Sequence, residues 1–245
     1  VVYNLINFTN IFLFNNFDKN SKYIFIFFNS LYKLCKYTTN NSKALSCLSA
    51  IHQIISQIEK LNLNAISKEE SQLFKNNKQL PKISNTLIKL FITSKNNIEK
   101  FHTLDLINSF LSDKPYFNII KKSIQKHYQS FFLRYSEKEY ISAKKLEILI
   151  KLADINNIKS ILDELKRNLF YSNNINKMII NSIYQICKNS NDQKISSICI
   201  ERLIELLRLK EENIIAQIII SLRKCIQDVK ENTKFVLVYS IKNFK

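Results

Sequence analysis

Ile158-Lys159-Ser160-Ile161-Leu162-Asp163-Glu164-Leu165, extended by Leu169, is the stretch whose reading decides the fold. Its apolar residues follow the i, i+3, i+4, i+7, i+11 stripe of an amphipathic helix. Outward from it the pattern recurs. Ile175, Ile179, Ile183 and Ile186 form one stripe, Ile195, Cys199, Leu203 and Leu206 a second, and Ile215, Ile218, Ile219, Leu222 and Ile226 a third. Polar clusters bound them at Asn156-Asn157, Ser172-Asn173-Asn174, Ser190-Asn191-Asp192 and Glu211-Glu212-Asn213. Upstream, Ile141 to Ala153 is apolar on more than one side, as expected of a helix that touches both its partner and the next pair.

Helix starts are readable as well. Ser136-Glu137-Lys138-Glu139 and Ser67-Lys68-Glu69-Glu70 fit capping boxes, in which Ser accepts from the N3 amide and Glu reaches back. Alternate helices are predicted to open near Ile98, Glu139, Ile175 and Glu211, at spacings of 41, 36 and 36 residues. An antiparallel helix pair repeated about every 40 residues describes an all-α, HEAT/armadillo-like α-solenoid of stacked antiparallel helix pairs. The repeats are clearest over 87–245. Residues 61–80 are more polar and read as a loop or weak helix, and 1–20 are ambiguous.

The chain has 245 residues, no glycine and two prolines, Pro81 and Pro115. Phosphate-cradling loops, dinucleotide fingerprints and nucleophile elbows all need glycine, because backbone must approach a ligand closely or adopt positive φ. Those architectures are excluded. Helix ends fall to Asn, Ser, Asp and Lys, with Asn the next best residue after glycine for a left-handed C-cap.

The formal charge is +17, from 37 Lys+Arg against 20 Asp+Glu. Only Arg134, Arg167, Arg202, Arg208 and Arg223 are arginines, and the lysines come with a large excess of Asn and Ile, as in coding sequence drifted toward A and T. No run of five basic residues occurs, and bidentate phosphate readers favour Arg. The reading is a diffusely basic surface, with no nucleic acid expected as partner. The longest apolar run, Tyr23 to Phe28, is far short of the roughly eighteen residues of a membrane span, so no transmembrane segment is predicted. The chain starts at Val1 without a signal-peptide pattern and is taken for a piece of something longer.

Candidate chemistry is thin. Cys35, Cys47, Cys187, Cys199 and Cys225 lie on apolar helical faces and read as buried, reduced, cytosolic thiols. The matching separation of Cys35 from Cys47 and of Cys187 from Cys199 is read as coincidence. His52, His102 and His127 are far apart in sequence, with no close ligand pair, so no metal site is expected. Asp163-Glu164, Glu201, Glu205 and Glu211-Glu212 read as a solvated face rather than an acid/base pair. Aromatics interleaved with basic residues from Lys121-Lys122 to Arg134-Tyr135 would suit base stacking, yet Ile120, Ile124, Tyr128 and Phe131 or Phe132 keep helical spacing and read as packing. No catalytic residue, no cofactor and no enzyme activity is expected, and partner-binding residues are not identifiable.

From about Leu87 onward the chain resembles the N-terminal trunk of β-adaptins, the large β subunits of clathrin adaptor complexes. The residues that carry the resemblance are Phe131-Phe132-Leu133-Arg134-Tyr135, then Tyr140, then Lys145 to Ala153, Asn157-Ile158 and Leu162-Asp163-Glu164-Leu165-Lys166. Cys187 and Cys199 also fall where that family carries cysteines. Gln185-Ile186 stands where β-adaptins usually have Gly-Arg, Lys138 where a Pro is common, and residues 1–80 match poorly. The Glu-Leu-Lys match leans toward the β subunits of Golgi and endocytic adaptors.

The resemblance implies that 1–245 is a partial adaptin-type α-solenoid trunk, a scaffold rather than a catalyst. Its implied partners are a second large adaptin, a medium and a small subunit. Clathrin would bind through a hinge absent from this chain, and small GTPases and acidic phospholipids would recruit the complex. The implied location is cytoplasmic and peripheral, on Golgi, endosomal or plasma-membrane coated vesicles. Two alternatives stay open: another HEAT-type scaffold such as a coatomer subunit or transport receptor, and a basic nucleic-acid-binding solenoid.

Overall fold

The computed structural model describes residues 21–61, 80–111, 115–169, 173–190, 192–209 and 212–228. Among the described residues the regular structure is ten α-helices and two short 3-10 turns, without strands. The chain divides into two compact units, Val1–Ser130 and Phe131–Lys245. The first holds α1 (Ser21–Tyr37), α2 (Asn41–Leu61), α3 (Leu80–Thr93), α4 (Asn97–Phe110) and α5 (Pro115–Gln125). The second holds α6 (Glu139–Leu152), α7 (Ile158–Arg167), α8 (Asn173–Asn189), α9 (Gln193–Leu206) and α10 (Glu212–Asp228). The predicted stretches 1–20 and 62–79, with the capping box at Ser67, lie outside the described residues.

Each unit shows HEAT-like stacking. In the second, α8 packs on α9, the next helix in sequence, and also on α6 and α10, two helices away on either side. Helix α9 packs likewise on α7. In the first unit α1 lies on α2, α2 on α4, and α3 on both α4 and α5. Odd and even helices thus form two layers within each unit, and three-residue connections such as 38–40 and 94–96 turn consecutive helices antiparallel. Helices α4, α6, α8 and α10 open at Asn97, Glu139, Asn173 and Glu212, within two residues of the starts read from periodicity.

The buried faces match most of the stripes. Ile158, Ile161, Leu162 and Leu165 are fully buried on α7, and so are Ile179 and Ile183 on α8 and Cys199, Leu203 and Leu206 on α9. Helix α10 departs from its predicted stripe. Its inward face is Ile214, Ile218, Ser221 and Cys225, which the helix turns toward α8 and α9, whereas Ile219 is 54 % exposed. Ile226 carries no described side chain.

The C-caps Leu111, Ala153, Asn168 and Leu207 all have negative φ, so none of these four residues is the expected left-handed cap. Asn168 closes α7 through its side chain, donating to Glu164 O at 2.8 Å, and Asn and Asp also act at N-termini and loops. Asn96 accepts from Ile98 N at 3.0 Å, Asp192 from Lys194 N at 2.9 Å and Asn40 from Lys43 N at 3.2 Å. Between α6 and α7, buried Asn157 accepts from Asp154 N (2.8 Å) and donates to Leu152 O (2.9 Å), so one side chain satisfies the loop backbone.

The capping box at Ser136 is not used. Helix α6 has Lys138 as N-cap, without a side-chain cap bond. The residues before it are taken up by a buried ion pair: the fully buried Lys145 donates to both carboxylate oxygens of Glu137 at 2.7 Å and to Phe132 O at 2.9 Å. Glu137 N meanwhile donates to Arg134 O at 3.1 Å, making residues 134–137 a turn rather than the first turn of the helix. A buried ammonium without its counter-charge is costly, so Glu137 is held to this partner.

The members of each cysteine pair lie on different helices, at equivalent places in two hairpins. Cys35 Sγ donates to Ala44 O at 3.8 Å and Cys187 Sγ to Ser196 O at 3.9 Å, nine residues on in both cases. Cys47 and Cys199 follow three residues later, so each pair spans the turn of a helical hairpin, α1–α2 and α8–α9. All five cysteines are buried. Burial pushes the Cys35 thiol up to about 12, with a contribution from nearby Cys47, and raises Cys199 with help from Cys187.

Two outcomes follow from this packing. Lys145→Ala is expected to cost about 3–5 kcal/mol in urea unfolding, since it leaves the Glu137 carboxylate and Phe132 carbonyl uncompensated, while Lys145→Met/Glu137→Gln recovers much of that loss. Ellman's reagent at neutral pH should label all five thiols in denaturant and fewer than about one per chain in the native state, because only the thiolate reacts.

Candidate functional site

The site begins with the seam between α2 and α4. Asn41 Nδ2 donates to Glu99 Oε2 at 3.2 Å near the helix starts, and eleven residues along α2 the His52 Nε2–H points to Ser109 O at 3.2 Å. The two bonds show that α2 and α4 run in the same direction, as members of one layer. Between them lies an open groove of about 700 Å³. At 1.5 Å per residue the bonds are roughly 15 Å apart.

The α2 wall combines the short Ser42, Ser46, Ser49 and Ala50 with the larger Leu45, His52 and Gln53, and the α4 wall carries Ile98, Glu99, His102 and Asp105. Ser46 Oγ donates to Ser42 O at 2.9 Å and Ser109 Oγ to Leu106 O at 2.7 Å, so these hydroxyls are tied to their own helices. The His52 ring stands edge-on to Phe110 with centroids 5.0 Å apart, which fixes its orientation. His52 and His102, distant in sequence, line one groove, while exposed His127 lies in the turn after α5. Among the described residues, no group of three or more His, Cys, Asp and Glu is placed to hold a metal ion.

Of the carboxylates read as a solvated face, Asp163 and Glu205 are exposed and ion-paired at the surface, whereas Glu164 is buried. Arg202 bridges Asp163 (2.5 Å) and Glu205 (3.4 Å), and Lys166 pairs with Glu205, tying α7 to α9. Glu164 is buried, accepting from Asn168 Nδ2 at 2.7 Å and from Arg167 at 3.1 Å. Glu201 is half-buried, Glu212 opens α10 and Glu211 lies outside the described residues. The Lys166 hydrogen bond lowers the Glu205 pKa, opposed by burial and aided by the Arg202 charge, so this carboxylate stays ionised rather than serving as an acid. In the aromatic stretch, Ile120, Ile124 and Phe131 are fully buried, Tyr128 and Phe132 half-buried, and Tyr135 exposed.

One signal was present in the sequence but unread. Asp163–Arg202, Lys166–Glu205 and Ser84–Ser123 are each separated by 39 residues, and each pair bonds across two helices of the odd layer. Ser84 and Ser123 meet at 2.6 Å beside Pro81 O. Polar partners offset by one repeat mark the register of stacking. The groove itself left no such mark, since its walls are joined at separations of 57 and 58 residues.

Comparison with known proteins now has a fold to refer to. Residues 3–242 match the family model described as "Adaptin N terminal region". Over 98 residues the chain is 33 % identical to the mouse (Mus musculus) "AP-4 complex subunit beta-1", covering 40 % of this chain and 13 % of the mouse protein.

The charge ladder has a pH signature. A carboxylate with a lowered folded-state pKa stabilises the fold above its unfolded value, about 4.5, and that contribution is lost as pH falls through the lower folded value. Screening at this partly exposed site keeps the effect to about 1 kcal/mol or less. Denaturant unfolding between pH 6 and 3 should show a steeper loss of stability for the native chain than for Glu205→Gln.

Proposed function

The chain belongs to the adaptin N-terminal family, and from that premise we propose that it is a β-type large subunit of a clathrin-adaptor-type coat, acting as a scaffold in vesicle-mediated protein transport. The observation that carries the reading is the family match along nearly the whole chain, supported by two-layered helix stacking in each unit. The similarity to a β subunit favours the β type. The chain spans about 13 % of that relative's length, so assembly with a second large adaptin and with medium and small subunits belongs to the proposal. So do recruitment by small GTPases and acidic phospholipids, and clathrin binding by a hinge elsewhere in the protein.

A scaffold role suits the chemistry of the surface. Asp163 and Glu205 pair with Arg202 and Lys166 across α7 and α9, and Glu164 is tied to Arg167 and Asn168 at the end of its own helix. No helix among the described residues is long and apolar enough to cross a membrane, and we place the protein on coated vesicles as a peripheral component. A chain of +17 would reach an anionic bilayer face by long-range attraction.

The test is purification of the tagged full-length protein at physiological salt, with identification of stoichiometric partners by mass spectrometry. Recovery of a second large adaptin, a medium and a small subunit is expected. Recovery of coatomer subunits, of nucleic acid, or of no adaptor subunit would overturn the proposal.

A further inference from the structure

We propose that the groove between α2 and α4 is the seat of a lysine- or arginine-bearing helix of a partner subunit. The inference rests on the adaptor reading for the existence of partner subunits, and on the groove for their chemistry.

Charge is the first argument. The chain carries 37 Lys+Arg against 20 Asp+Glu, yet among the described residues those lining this groove include two carboxylates, Glu99 and Asp105, and neither Lys nor Arg. An acidic concave place in a basic chain is complementary to a cationic segment. Glu99 accepts one bond from Asn41, and a carboxylate has lone pairs for more. An ammonium or guanidinium there would make charge-assisted bonds, roughly twice as strong as neutral ones.

Shape is the second. A seam of roughly 15 Å accommodates about three turns of helix. The Ser and Ala side chains of α2 are short enough for another backbone to come close, and Ile98, 62 % exposed, with half-buried Leu45 and Leu106 supplies apolar contact. Glu99 and Asp105 are six residues apart on α4, about 9 Å along its axis, so an occupant lying alongside would meet both with basic residues some six or seven positions apart. The Asn41–Glu99 and His52–Ser109 bonds hold the walls in place, so little ordering cost falls on binding.

Site-specific photo-crosslinking tests this in the full-length protein within its native complex. A benzophenone amino acid in place of Ser49 is irradiated, and the crosslinked peptide is sequenced by mass spectrometry. The expected product is a helical segment of another subunit bearing Lys or Arg. Its yield should fall at least five-fold in Glu99→Lys/Asp105→Lys, with Glu99→Gln/Asp105→Asn intermediate and far-UV circular dichroism unchanged. A crosslink to a segment without basic residues, a yield insensitive to these charges, or no crosslink while the adaptor subunits still co-purify would overturn the groove assignment and leave the coat reading standing. Absence of adaptor subunits from the purified complex would overturn both.

Discussion

Every helix in this chain depends on being covered from more than one direction, and α8 shows the constraint most plainly. It carries Ile179, Ile180, Ile183, Ile186 and Cys187 inward at 2 % exposure or less, and needs α6, α9 and α10 together to cover them. A lone amphipathic helix gains too little from one stripe to offset its ordering, so stability comes from stacking on neighbours. The same demand explains why Ile141 to Leu152 is apolar on more than one side and why α7 presents an unbroken buried stripe.

Apolar stripes bring helices together without choosing their register along one another. Polar groups do that. The Arg202 and Lys166 pairs and the Ser84–Ser123 contact each bond one repeat ahead, at an offset of 39 residues. Exposed ion pairs contribute little energy, but a one-turn slip would set Asp163 against Glu205 in one direction or Lys166 against Arg202 in the other. Lys145 and Asn157 solve a related problem where the chain turns. Both are buried, and each collects the groups of an irregular segment that glycine would otherwise relieve.

Function follows from which seams are closed and which stay open. Between α7 and α9 the charges neutralise each other across the seam. Between α2 and α4 the walls are joined by Asn41–Glu99 and His52–Ser109, and the groove between them carries carboxylates on the α4 side and several small residues on the α2 side. A scaffold offers its partners such seams, because side chains on rigid parallel helices keep their spacing without a loop to order.

Much of the fold was legible in the amino-acid order. Period 3.6 identified α7, α8 and α9, the polar breaks located their ends, and the absence of glycine ruled out phosphate loops and nucleophile elbows. These are local properties, decided within one or two turns of helix. The rest is long-range. The rotation of α10 that exposes Ile219, the pairing of Glu137 with buried Lys145, the burial of Glu164, the facing of Cys187 and Cys199, and the meeting of His52 with Ser109 each depend on which neighbour lies alongside. Sequence by itself determined that helices form and repeat, because a helix answers to residues three and four positions away. Tertiary structure alone decided which side chains are paired, buried or left lining a groove, because those outcomes are set by partners tens of residues distant.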